Sequence, residues 1–200
     1  MDVFDCEQGS PEWVQLRLGI PTASEFRSIL AKGEGKMRRT YLLKLLGERL
    51  TGEPADSYRN DHMERGKSME GEARKMYAFM TDTEPQRVGF IRNGEVGCSP
   101  DSLLGDDGLL EIKTALPYLQ LEAIFADRLP PEHLAQVQGQ LWVSEREWCD
   151  FVSYWPRLPL FVKRAYRDEA HIKTITEEVN RFLDDLVLFQ KRLSGQEKAA

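Results

Sequence analysis

CSPDSLLGDDGLLEIK, residues 98–113, is the stretch on which the fold turns. Its second half is short, apolar and preceded by the turn signal Gly105-Asp106-Asp107-Gly108, so LLEIK reads as a strand entered from a hairpin. Side chains alternate along a strand. Glu111 and Lys113 therefore share one side, with Ile112 buried behind them. Asp101 stands at the end of the preceding strand, across the hairpin. Two carboxylates and an ammonium meet at one sheet edge, where gathered like charges are costly unless a cation joins them. Hard carboxylate oxygens suit Mg²⁺, and the Ile112 backbone carbonyl can add another oxygen. Such a cation makes water a better nucleophile and stabilises charge on a reacting phosphate. Lys113 can orient or deprotonate that water, because an amine beside a cation has a depressed pKa. An ExK pair alone is commonly a surface ion pair. The Ser99-Pro100-Asp101 step at hairpin distance sets this one apart.

Working outward, residues 88–93, 95–101 and 109–114 read as a three-stranded antiparallel meander. Upstream the chain is helical. Ser10 and Pro11 open PEWVQLRL, which stops at Gly19, and Thr22 or Ser24 caps SEFRSILA. A helix follows over 38–50. Another runs from about Asp61 to Met80, with Met69, Ala73, Met76, Tyr77 and Met80 at steps of three and four. Downstream, PYLQLEAIFADR and PEHLAQVQGQLWVS read as helices, and WCDFVSYW and LFVKRAY as strands. A last amphipathic helix spans about Glu169 to Leu193, with Ile172, Ile175, Val179, Phe182, Leu186 and Phe189 on its inner stripe. The order predicts an α/β fold with a central mixed sheet flanked by helices. Residues 1–193 are expected to form one domain, and 194–200 to read as a disordered tail.

Composition narrows the classes. The chain has 200 residues, 41% hydrophobic and 30% charged, which describes a globular protein without a membrane span. The acidic start MDVFDCEQG does not resemble a signal peptide, so the cytoplasm is the expected location. Cys6, Cys98 and Cys149 are too few and too dispersed for a four-thiolate cluster and read as reduced thiols. His62, His133 and His171 lack metal-like spacing. The net charge of −6 hides an asymmetry: residues 27–49 carry seven cations against Glu34 and Glu48. A second basic stretch holds Arg157, Lys163, Arg164, Arg167 and Lys173. A channel for DNA inside an acidic exterior fits this pattern, as does a solvated basic helix face.

Four blocks in order, Trp13 with QLRLGIPTASEF, RGKSMEGEARKMYAFMT, the 98–113 hairpin and HLAQVQGQLWV, resemble the family of phage lambda exonuclease. This is the YqaJ-type viral recombinase group of PD-(D/E)xK nucleases. The resemblance implies a restriction-endonuclease-like core and Mg²⁺ as cofactor, with Mn²⁺ able to substitute. It implies processive 5′-to-3′ degradation of linear double-stranded DNA from its ends, releasing mononucleotides and leaving a 3′ single strand. It also implies a ring-shaped homotrimer working beside a single-strand annealing protein. By the same resemblance Glu70 joins Asp101, Glu111 and the Ile112 carbonyl around metal, and Gln136 faces the scissile phosphate or its water. Arg17, Ser24 and Ser99 form a pocket for the 5′-phosphate, and Trp13 belongs to the substrate-binding block. Met63 is either a strand-separating wedge or an ordinary helix-start methionine.

Read from the residues alone, Glu70 is one more charge in an i,i+4 network, Gln138 and Gln140 are surface amides, and Trp142 is core. The connection after Lys32 is short for the family. Two rivals stand beside the exonuclease reading. One is a structure-specific endonuclease or helicase-associated nuclease of the same fold; the other is an inactive DNA-binding scaffold.

Overall fold

The computed structural model describes residues 1–31, 35–55, 61–193 and 195, with side chains at all of these except 61–68. Ser10 Oγ accepts the Trp13 N–H at 3.2 Å, and Pro11 opens helix α1 (Pro11–Arg17). The chain turns at Gly19, where φ is 67°. SEFRSILA is two pieces rather than the single helix expected: a 3-10 turn over Ala23–Glu25 and a short α2 (Phe26–Leu30). Ala23, Phe26 and Ile29 are all buried, a spacing of three that a tighter turn lines up.

Helix α3 (Lys36–Thr51) buries Tyr41, Leu42, Leu45 and Leu46. Its end clamps the turn before it: Glu48 accepts the Gly19 N–H at 2.8 Å, and Arg49 Nε donates to the Gly19 carbonyl at 2.7 Å. Helix α4 (Asp61–Thr81) buries the stripe Met69, Ala73 and Tyr77. Met76 and Met80, expected on that stripe, are exposed, because the buried positions advance in steps of four.

The strands depart from the expected meander. Two sheets stand in its place. The first is antiparallel: β1 (Asp2–Phe4), β2 (Phe90–Asn93) and β3 (Val96–Cys98), in that order. The second is β4 (Ser102–Leu104), β5 (Gly108–Lys113), β6 (Trp148–Ser153) and β7 (Phe161–Tyr166). Pro100 lacks the N–H that would continue β3, and the chain restarts as β4 against β5. β4 and β7 run antiparallel to their neighbours, while β5 and β6 are parallel, so the sheet is mixed as expected. The parallel pair requires a crossover, supplied by α5 (Pro117–Ala126) and α6 (Pro131–Ser144).

The final helix α7 (Glu169–Leu193) buries Ile172, Ile175, Val179, Phe182 and Leu186 on the predicted face. The four-stranded sheet is covered on both sides. Leu110, Ile112 and Val152 pack toward Met69, Ala73 and Tyr77 of α4. Leu109 and Phe151 pack toward Val137 and Leu141 of α6. Gly139 of α6 lets Phe26 approach: a Cβ there would lie 2.4 Å from the Phe26 ring. Among the described residues, no helix is long and apolar enough to cross a membrane. The expected tail falls outside the described residues apart from Gly195.

Candidate active site

β5 presents Glu111 toward α6. Glu111 is 3% exposed, and both of its oxygens are held. Oε1 accepts from Gln136 Nε2 at 2.6 Å and pairs with Lys113 Nζ at 2.6 Å. Oε2 accepts from Gln140 Nε2 at 2.6 Å. Gln136 and Gln140 are one turn apart on α6, so both amides reach the same carboxylate. Gln140 is thus a site residue rather than a surface amide, and the i,i+4 spacing from Gln136 was the signal for it. Gln138 is also buried, as a strut, with its side chain bonded to the Tyr166 carbonyl and the Asp168 N–H.

Asp101 sits between β3 and β4. Its backbone N–H donates to the Leu110 carbonyl at 3.0 Å, and its Oδ2 accepts the Ile112 N–H at 2.5 Å. Burial raises the proton affinity of Asp101 well above that of an ordinary aspartate, and the charges of Glu111 and Glu70 raise it further. Glu70 pairs with Arg74 one turn along α4, and the same Arg74 nitrogen donates to the Asp101 carbonyl at 3.1 Å. The structure therefore links Asp101, Glu111, Ile112, Lys113, Gln136 and Glu70 in one neighbourhood, with Arg74 and Gln140 added to those expected.

Among the described residues, no three acidic, cysteine or histidine side chains form a ready metal cage. Glu111 is turned toward two amides and Lys113, and Glu70 toward Arg74. The donor set nevertheless fits a hard dication. It is all oxygen, and Asp101 is destabilised as an anion by its acidic neighbours, a repulsion that a cation would relieve.

Without a cation beside it, Lys113 feels chiefly its acidic neighbours. Burial favours its neutral form, but the carboxylates of Glu111, Asp101 and Glu70 outweigh burial and raise its proton affinity.

A second group of polar residues lies on the α1 side. Trp13 Nε1 donates to Ser99 Oγ at 2.9 Å and to the Gly89 carbonyl at 3.1 Å. The Arg17 guanidinium lies 3.9 Å over the Trp13 ring. Arg17 Nη2 donates to Thr22 Oγ1 at 3.4 Å, which is 3.2 Å from Ser24 Oγ. A chain of contacts thus joins Ser99, Trp13, Arg17, Thr22 and Ser24. Arg17 has no ion-pair partner among the described residues, and burial lowers its proton affinity. It lines a cavity of about 670 Å³ with Thr22, Lys36, Tyr41 and Lys44, and with the acidic Glu25 and Glu48. Ser24 does not open a long helix, as expected of it. It lies in the 3-10 turn, and Glu25 occupies the N-cap position of the five-residue α2.

The basic stretches are partly spent on the fold. Arg38 pairs with Asp185 at 2.7 Å, and Arg49 holds Gly19. Lys163, Arg164 and Arg167 pair with Asp127, Asp150 and Glu169. Lys36 and Arg39 are exposed. Cys98 and Cys149 are buried free thiols, and Trp142 packs against Phe26. Lys32 and the side chains of His62 and Met63 lie outside the described residues, so the wedge reading of Met63 has no structural description.

Residues 12–147 match the YqaJ-like viral recombinase domain model. The structure is similar to an alkaline exonuclease, LHK-Exo, from Laribacter hongkongensis, with a TM-score of 0.86 and 36% sequence identity. The match covers 94% of this chain and 97% of that one. LHK-Exo in complex with dAMP matches at the same TM-score and identity, over 94% of this chain and 99% of that one. A phage related exonuclease from Haemophilus somnus 129PT shares the fold at a TM-score of 0.67 and 14% identity, over 91% and 98% of the two chains. No curated protein matches the chain. From the domain match over most of its length and the likeness to LHK-Exo, the chain belongs to the YqaJ-like viral recombinase family.

Proposed function

We propose that this chain is a Mg²⁺-dependent exonuclease that degrades one strand of linear duplex DNA processively from its 5′ end. The reading rests above all on one observation: Asp101, Glu111 and Lys113 are joined to one another across β4 and β5 by the Ile112 N–H and the Lys113–Glu111 ion pair. Family membership and the likeness to LHK-Exo support the nuclease class. Residues 1–193 act as one nuclease unit. Asp101, Glu111, Glu70 and the Ile112 carbonyl are the proposed metal ligands.

A bound Mg²⁺, or Mn²⁺ in its place, supplies Lewis acidity toward the scissile phosphate and lowers the proton affinity of a nearby water and of Lys113. Gln136 and Gln140 hold the Glu111 carboxylate in a fixed orientation. Lys113 accepts a proton from the attacking water once its own has been lost. Arg17, Ser24 and Ser99 hold the 5′-terminal phosphate, with Trp13 stacked beneath Arg17. The deciding experiment digests duplexes labelled at either 5′ or 3′ ends, beside a closed circle, with Mg²⁺ and with chelator. The expected result is release of 5′ label as mononucleotide, an intact circle, and no reaction in chelator. Cutting of the circle would favour an endonuclease, and no cutting of any substrate a binding scaffold.

Lys113 gives a pH signature. Because Lys113 can take the water's proton only after losing its own, digestion should climb with pH into the alkaline range. Lys113→Ala should lose about a hundredfold or more in turnover, the usual scale of general acid–base catalysis. Lys113→Arg should be equally poor and lose the alkaline rise. Substantial activity in the arginine variant would assign Lys113 to charge neutralisation instead.

Three copies enclosing the duplex would reconcile an acidic chain with DNA binding, with the exposed cations of residues 27–49 facing the bore. The released 3′ strand would pass to a single-strand annealing protein. Light scattering at micromolar concentration should give a trimer mass, and processivity should fall as salt rises, because phosphate contacts release counterions. A monomer that digests processively would defeat the ring.

A further inference from the structure

We infer that Arg74 is a positioning residue that fixes Glu70 and Asp101 relative to one another, an inference that rests on the proposed metal site. Arg74 lies on α4, one turn after Glu70, and is 8% exposed. Its guanidinium spans two elements. Nε donates to Ser102 Oγ at 2.9 Å, and Nη2 donates both to Glu70 Oε1 and, at 3.1 Å, to the Asp101 carbonyl. Ser102 is fully buried, and its hydroxyl donates to the same carbonyl at 2.6 Å. One planar group thereby sets where the helix carboxylate stands against the strand that begins at Asp101.

The arrangement is poorly explained by stability. Arg74 Nη1 is buried and has no hydrogen-bond partner among the described residues. A buried cation with an unmet donor is less stable than an apolar side chain of similar size packed beside Met69 and Ala73. Net charge alone does not explain it either. Lysine carries the same charge, but an ammonium cannot reproduce the fixed directions from which a guanidinium meets Ser102, Asp101 and Glu70 together. The shape of the fork is what the site uses. Arg74 escaped the sequence reading because an i,i+4 Glu–Arg pair on a charged helix ordinarily means a solvated surface.

The test measures Mn²⁺ binding to DNA-free protein by electron paramagnetic resonance, with melting temperatures taken in chelator. The proteins are the parent, Asp101→Ala, Arg74→Lys and Ser102→Ala. The parent should bind Mn²⁺ and Asp101→Ala should lose that binding. Arg74→Lys should bind about tenfold more weakly or worse, the usual cost of removing a group that orients a metal ligand. Its Mg²⁺ requirement for digestion should rise in step. Ser102→Ala, which keeps the arginine and removes one anchor, should shift both in the same direction by less. A purely structural Arg74 would lower the melting temperature in chelator and leave the Mn²⁺ affinity of the folded variant at the parent value. Parent-like affinity in Arg74→Lys, or in Ser102→Ala if the lysine variant does not fold, overturns the inference alone. Failure of the parent to bind Mn²⁺ overturns the metal site and the inference with it.

Discussion

Asp101→Ala and Glu111→Ala are expected to abolish digestion of linear duplex DNA while leaving the protein folded and able to bind DNA. The proposed cation contributes several kcal/mol of charge stabilisation in the transition state. Losing a ligand that holds it therefore corresponds to about a thousandfold or more in rate. The fold should tolerate both changes. Asp101 is already destabilised as an anion by burial and by its acidic neighbours, so its removal relieves repulsion. Glu111→Ala leaves Gln136, Gln140 and Lys113 without their shared acceptor and should cost more stability. Ca²⁺ should support DNA binding without turnover in the parent, because its looser coordination misplaces the water. Mg²⁺-dependent digestion by Asp101→Ala at close to the parent rate would remove the site assignment. The measurement is nucleotide release, with circular dichroism to establish folding and a gel shift in Ca²⁺ to establish binding.

Digestion should start much faster on a 5′-phosphorylated end than on a 5′-hydroxyl end. Arg17 is a guanidinium desolvated by burial, without an ion-pair partner among the described residues, and it lies 3.9 Å over the Trp13 ring. A phosphate dianion would add a directly bonded counter-charge to the more distant attraction of Glu48 and Glu25, with two oxygens matched to the fork. Hydrogen bonds to charged groups contribute roughly 1.5–3 kcal/mol, so the preference should be on the order of tenfold to a hundredfold. Arg17→Ala should erase most of it, leave Mn²⁺ binding intact and slow the phosphorylated substrate chiefly. Initial rates on two duplexes differing only in that phosphate, for both proteins, decide the matter. Equal rates for the parent, or undiminished discrimination by Arg17→Ala, would discard the phosphate pocket.

Much of this arrangement was legible from local pattern. Period-two alternation placed Glu111 and Lys113 on one face, and the structure joins them in an ion pair. Period-3.6 patterning located α7 and its buried stripe from Ile172 to Leu186, with Phe189 at the end only partly buried. What escaped depends on contacts distant in sequence. β1 is three residues long, and only its pairing with Phe90, Ile91 and Arg92 makes it a strand. The division of the meander into two sheets falls at Pro100, which lacks an N–H and lies inside the strand that local pattern carries through to Asp101. Gln140 and Arg74 were hidden by their chemistry. Amides and arginines on helices are usually solvated, and only the facing strand or helix shows that these are buried against carboxylates.

Ser99 is tied to Trp13 and through it to Arg17, whereas Asp101 is tied to β5. Only Pro100 separates them, and its own carbonyl is pinned by Gln8, which also holds the Val88 carbonyl. On the proposed function this short, doubly tethered link acts as a ruler. The place where the strand end is arrested and the place where it is severed are set apart by a length of backbone too short to stretch. The size of each released piece would then be a dimension of the chain itself, the same at every step along the DNA.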